Sequence, residues 1–166
     1  MPSFIIGKNE LVTSFSSVES GTNVFALAAV LGYQRPPTIG VTVHLHDVAK
    51  VHVLALDNKL FPRKAEPIYD HFLASSGGIE GTKFEDAVEI VKRNFPDQAR
   101  QGLWPLNGIQ PAKRFPIDST RTEKVFGIKF QGFEEQVKSV VEHYVELAAE
   151  AGIKKAEDIA VATIRH

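Results

Sequence analysis

Cysteine is missing from all 166 residues. That excludes thiol catalysis, thiolate metal sites and disulfides, and it fits a reducing compartment. A surplus of either charge is missing too: 19 basic and 20 acidic side chains leave a net charge of -1. No like-charged run reaches five residues, so no basic stripe exists to neutralise phosphates, and a nucleic-acid surface is not expected. Long hydrophobic runs are also lacking. The N-terminal MPSFIIGKNELV is broken by Lys8, Asn9 and Glu10, too short for a signal h-region or a membrane span. The expectation is a soluble cytoplasmic protein with no nucleic-acid or membrane partner. Internal repeats and low-complexity linkers are absent as well.

What is present is ordinary globular material. Apolar residues make up 43% and charged residues 23%, enough for one domain to bury a core without staples. Ser3–Ile6 reads as a short buried strand closed by Gly7, and Thr22–Leu31 as a helix with Gly32 beyond its end. Arg35-Pro36-Pro37 reads as a loop. Gly40–His46 alternates, with Val41, Val43 and Leu45 on one face and Thr42, His44 and His46 on the other. Asp47 then reads as the N-cap of a helix DVAKVHVLALDNK. Tyr69–Ser75 reads as a second strand. Thr82 with Glu85, and Thr120 with Glu123, have capping-box spacing. The first opens a helix that Pro96 ends; the second opens a short helix ending at Gly127. Gln98–Pro116 reads mostly as loop. Phe133–Ala151 is a long amphipathic helix with Phe133, Val137, Val140, Val141, Tyr144, Leu147 and Ala148 inward, His143 outward, and Gly152 as its stop. The division is 1–152 as one domain and 153–166 as a helical extension. Mixed helix and strand order predicts an α/β fold, with α+β as the alternative.

Three segments together resemble the extended short-chain dehydrogenase/reductase family, nearest to its dihydroflavonol-reductase-like and NAD-dependent epimerase/dehydratase members of fungal type. PSFIIG at 2–7 resembles the strand after the family's catalytic helix. VTVHLHDVAKVHVLAL at 41–56 resembles its "vHvdDvA..H..AL" signature, and PIDSTRTEKVFGIKFQGFEEQVKSVVEHYVEL at 116–147 its closing segment. The resemblance implies the C-terminal, substrate-binding region of such an enzyme: a few short parallel strands with about four to six helices, without the Rossmann unit. The family's glycine-rich turn has no counterpart, since Gly77, Gly78 and Gly81 spell GGxxG and come late. Its Tyr-x-x-x-Lys pair is missing too: Tyr33, Tyr69 and Tyr144 are followed at +4 by Pro37, Leu73 and Ala148. The sequence therefore predicts no cofactor-binding residues and no resident cofactor.

The polar groups proposed as catalytic are His46, His44, His71 and Arg121. His46 stands where the family usually has a carboxylate, and it titrates near neutral pH. His44 follows the family pattern and also reads as a packed, hydrogen-bonded residue. A metal site would need a third ligand beside His44 and His46, from Asp47 or His71, and no metal is expected. His71 shares a face with Tyr69 if that segment is a strand, although ordinary edge-strand polar residues would look the same. Arg121 could clamp a carboxylate or an enolate, or simply be solvated. By resemblance, Phe15, Phe25, Tyr33, Tyr69 and Trp104 line the substrate pocket; core packing explains Phe25 equally well. Two functions follow as expectations. One is a cofactor-free isomerisation, cyclisation or dehydration of a small polyketide- or aromatic-type metabolite in secondary metabolism. The other is a non-catalytic substrate-binding half of an NAD(P)H-dependent reductase, or an accessory binding module. Strand edges and apolar faces left uncovered predict a homodimer or a refolded compact sheet.

Overall fold

Parallel strands need a crossover between them, and here helices supply it. The computed structural model describes residues 1–57, 59–60 and 71–158; Tyr69 and most of the predicted tail helix lie outside the described residues. β1 (Phe4–Ile6) pairs in parallel with β3 (Thr42–His44), in the register Phe4↔Thr42, Ile5↔Val43, Ile6↔His44. β2 (Thr38–Ile39) pairs in parallel with β4 (Ala112–Lys113). These two-residue strands are held by a close approach at Gly40. Its N–H donates to the Lys113 carbonyl at 2.8 Å and its carbonyl accepts from Thr82 N–H at 2.7 Å. A Cβ at Gly40 would lie 2.2 Å from the Thr82 carbonyl oxygen, so only glycine fits.

The helices are α1 (Asn23–Leu27), α2 (Leu45–Leu54), α3 (Asp86–Asn94), α4 (Pro96–Gln101), α5 (Thr120–Phe126) and α6 (Phe133–Glu150). A 3-10 turn spans Phe15–Ser17. The architecture is mixed α/β with few short parallel strands, as expected. α6 is the central post, packing on α1, α3 and β3. Its Val137, Val140, Val141, Tyr144, Leu147 and Ala148 are buried with Ile6, Leu27, Val30 and Val91. Each such side chain contributes roughly 1.5–3 kcal/mol when fully removed from water.

Several boundaries differ from the sequence expectation. The alternating segment stops at His44, and Leu45 and His46 already belong to α2. The cap of α2 is therefore His44 rather than Asp47: its imidazole Nδ1 accepts from the His46 N–H at 3.1 Å. Asp47 sits within the first turn, buried, and accepts from the Gln131 N–H at 2.7 Å. Neither capping box forms. Thr82 bonds to Thr42 instead, Glu85 accepts from Ala112 N–H at 3.1 Å, and Ser119 precedes α5. Pro96 ends α3 but also opens α4 as its first residue, a position that needs no N–H. The predicted loop from Gln98 thus begins inside a helix and later contains β4. The segment predicted as a second strand makes one parallel bridge, Pro2↔Ala74, among its described residues. His143 is buried, not outward, with Nε2 at 3.1 Å from the Val12 carbonyl. Residues 156–158 begin a helical turn in the extension.

Candidate functional site

The four polar candidates fall into two separate pairs. His44 and His46 meet at the start of α2, with ring centroids 5.0 Å apart. His44 is buried, and burial first, then the neighbouring His46, holds its imidazole below the usual value of 6.5. Accepting at Nδ1 places the neutral ring's proton on Nε2. His46 is exposed. His71 and Arg121 meet elsewhere: the Arg121 Nη1 donates to the His71 carbonyl at 3.4 Å, and its guanidinium lies 5.1 Å from the Phe72 ring centre.

The aromatic candidates also separate. Phe15 packs edge-on against Tyr144 at 4.9 Å, and buried Trp104 lies 6.0 Å from Tyr144. Phe25 belongs to another stack, between Phe4 at 4.7 Å and Phe84 at 5.8 Å, with Arg35 over its ring. Tyr33 is 40% exposed, and its hydroxyl is pushed up to about 12 by partial burial and the nearby Glu19. Tyr69 lies outside the described residues.

A cleft of about 320 Å³ opens at the glycine turn, between residues 76–83 and the first turns of α3 and α6. Ser76, Gly77, Gly81, Thr82, Lys83, Asp86 and Phe133 line it. Its size is at the small end of ligand pockets. Gly77 is required there, because a Cβ would meet the Gly81 backbone at 2.6 Å. The turn is not a phosphate cradle. Gly81 N–H is engaged by the Gly77 carbonyl at 3.0 Å and Thr82 N–H by the Gly40 carbonyl, so these donors do not converge on a ligand. These residues do not fit a dinucleotide's pyrophosphate.

Beneath the cleft runs a polar network. Thr42 and Thr82 hydroxyls lie 2.8 Å apart. Ser76 Oγ donates to the Thr42 carbonyl at 3.0 Å and accepts from Gln136 Nε2 at 2.7 Å. Gln136 Nε2 also donates to the Gln131 carbonyl at 3.1 Å, and Gln131 donates twice to Asp47. The network thus reaches the start of α2, where His44 and His46 sit. A second, smaller and more apolar cleft of about 180 Å³ lies among Val48, Val51, His52, Phe72 and Phe126. None of the four polar candidates lines either cleft. Among the described residues no group of three metal-ligating side chains converges, and no helix is long and apolar enough to cross a membrane.

No protein-family model matches the chain. Curated relatives do. Ketoreductase CTB6 of Cercospora beticola is 36% identical over 152 residues, 88% of this chain and 40% of that protein. NAD-dependent epimerase/dehydratase ALT6 of Alternaria alternata is 32% identical over 148 residues, 84% of this chain and 40% of its own length. The chain therefore spans about two-fifths of the relatives it matches. Among solved structures, Gre2 from Candida albicans superposes with a TM-score of 0.60 at 21% identity, over 88% of this chain and 43% of that one. Yeast methylglyoxal/isovaleraldehyde reductase Gre2, complexed with NADPH, gives a TM-score of 0.59 at 18% identity, over 89% and 45%. Both show likeness of fold.

Proposed function

Since this chain is a partial region of the short-chain dehydrogenase/reductase family, we propose that it is the substrate-facing part of a dinucleotide-dependent ketone reductase, holding a small carbonyl compound in the cleft beside Thr82. One observation carries this reading. The stretch that aligns with ketoreductase CTB6 over 88% of the chain includes every residue lining the larger cleft, and that cleft pairs the Thr82 hydroxyl with an aromatic wall. Such a lining suits a polar oxygen on a flat carbon skeleton. The residues here bind and orient; no redox step is assigned to them, because the glycine turn does not fit the dinucleotide.

The test uses the ¹⁵N-labelled 166-residue chain and two titrants, acetophenone and NADPH. Acetophenone is expected to shift the amides of Gly77, Thr82 and Phe133, while NADPH leaves the spectrum unchanged. Micromolar binding of NADPH with ketone reduction by the chain alone would refute the proposal, as would acetophenone shifts confined to other residues.

The contact between neutral His44 and exposed His46 favours a second reading: cofactor-independent isomerisation, cyclisation or dehydration of a small polyketide- or aromatic-type metabolite. In it His46 exchanges the proton with solvent and His44 holds its position. Turnover of a candidate metabolite that is unchanged in His46→Ala would remove that reading. Either function suits a homodimer, with a second copy over the exposed Val53 and Leu56.

A further inference from the structure

The direction of one buried hydrogen bond tells what the cleft asks of its ligand. Thr42 is fully buried, and among the described residues its hydroxyl bonds only to the Thr82 hydroxyl, at 2.8 Å. If Thr82 donated, the Thr42 proton would be left in the interior without an acceptor, which is costly. Thr42 is therefore the donor. The Thr82 proton is left over, and Thr82 lines the cleft. Ser76 cannot take that proton's place, since its hydroxyl already donates to the Thr42 carbonyl and accepts from Gln136.

Next to Thr82 stands Lys83, exposed at the cleft wall, with no ion pair among the described residues. Thr82 and Lys83 thus place two donors, one of them charged, in the lining of the same cleft. Asp86, the first residue of α3, faces the same space and makes no ion pair among the described residues. It supplies an acceptor. Phe133, at the start of α6, supplies the apolar wall.

We infer that this cleft binds a ring-bearing molecule carrying both an anionic oxygen and a hydroxyl. The anionic oxygen, a carboxylate or enolate, meets the Thr82 hydroxyl and the Lys83 ammonium. The hydroxyl donates to Asp86, and the ring packs on Phe133. The inference rests on the cleft being the substrate site, and it adds the charge of the substrate.

The test compares 3-hydroxybenzoate with its neutral isostere 3-hydroxybenzamide, titrated into the labelled full chain. The benzoate is expected to shift Gly77, Thr82 and Phe133 and to bind about three- to tenfold more tightly than the amide. Lys83→Gln is expected to erase that preference while leaving the fold intact, since Lys83 is exposed. Thr82→Val is expected to weaken both probes, and Thr82→Ser to restore them. Equal affinity for the two probes, or an unchanged preference in Lys83→Gln, overturns the charge assignment while the cleft still stands as a ligand site. Shifts absent for both probes, or confined to other residues, overturn the charge assignment and the substrate-site reading together.

Discussion

Asn23→Ala is the sharpest test of how the first strand is held. Asn23 is 8% exposed. Its Oδ1 accepts from the Gly7 N–H at 3.1 Å and its Nδ2 donates to the Gly7 carbonyl at 2.9 Å. Gly7 is itself buried at the end of β1. Truncation removes both partners at once and leaves a buried N–H and a buried C=O. Each orphaned group costs roughly 1–3 kcal/mol, so the pair is expected to cost about 2–4 kcal/mol after local relaxation. At about 2–4 °C per kcal/mol for a chain of this size, Tm falls by roughly 4–16 °C. The assay is urea unfolding followed by Trp104 emission, because Trp104 is buried beside Tyr144 and Phe95 and reports the core. Asn23→Asp is the companion variant. It keeps an acceptor for Gly7 N–H but turns an anion towards the Gly7 carbonyl, so it should be at least as damaging as alanine. A loss below about 0.5 kcal/mol in Asn23→Ala, within the range of ordinary surface changes, would show that the clamp is not what fixes β1.

Three further outcomes are expected. His44 is held below its usual value of 6.5 by burial and by His46, against the opposing pull of Asp47 and Glu135. The native state thus takes up fewer protons than the unfolded chain, and the stability from neutral His44 is complete above 6.5 and lost as the pH falls towards the depressed native value. His44→Asn, which keeps a cap acceptor, should therefore show a smaller drop in urea midpoint between about pH 7.5 and about pH 5.5 than the parent; an equal drop would refute the assignment. Gly40→Ala places a Cβ 2.2 Å from backbone oxygen and should cost about 3 kcal/mol or more, while Gly127→Ala meets nothing within 4 Å and should cost only about 1 kcal/mol for its φ of 62°. Calorimetry that ranks the two the other way would contradict the packing around β2 and β4. Val53 and Leu56 are 69% and 81% exposed, so replacing both by glutamate should leave the chain folded yet convert a dimer to a monomer in light scattering; a parent chain already monomeric would remove the homodimer proposal.

The legible elements were those whose pattern is long enough to average. α6 runs for 18 residues, and six of the seven inward positions assigned from its period are buried. α3 was found the same way. The boundaries failed where one residue type has two uses. Pro96 has the chemistry of a stop and is also a start. Asp47 has the commonest cap chemistry, yet His44 caps α2 because an imidazole nitrogen accepts the same N–H that a carboxylate would. The alternation from Val41 could not reveal that Leu45 had changed from strand to helix, since both periods place it near the same neighbours. β2 and β4 are two residues each, below any periodicity, and exist because Gly40 lets two backbones touch. His143 shows a further limit. A polar residue beside an inward tyrosine reads as outward, but the loop at Val12 supplies a carbonyl that lets it turn in.

The site was harder to read because its groups carry chemistry only in combination. Histidines and an arginine attract notice singly, yet the structure leaves them as two separate pairs that line neither cleft. Ser76, Thr82 and Thr42 are unremarkable as a sequence, and nothing in their spacing announces a binding floor. Their roles come from three separate segments, β3, the glycine turn and α6, and are completed through Gln131 by Asp47 of α2. The trace visible in the sequence was the cluster Gly77, Gly78 and Gly81. Its spacing does not match a phosphate loop; its small residues let residues 76–82 fold back tightly enough to set two hydroxyls against Thr42 at the start of β3. A floor assembled in this way cannot persist when any one of its elements detaches. Ligand affinity at the cleft should therefore follow the folded population of the whole chain, which separates it from the second cleft, whose lining comes from α2, α5 and the extended residues beside them.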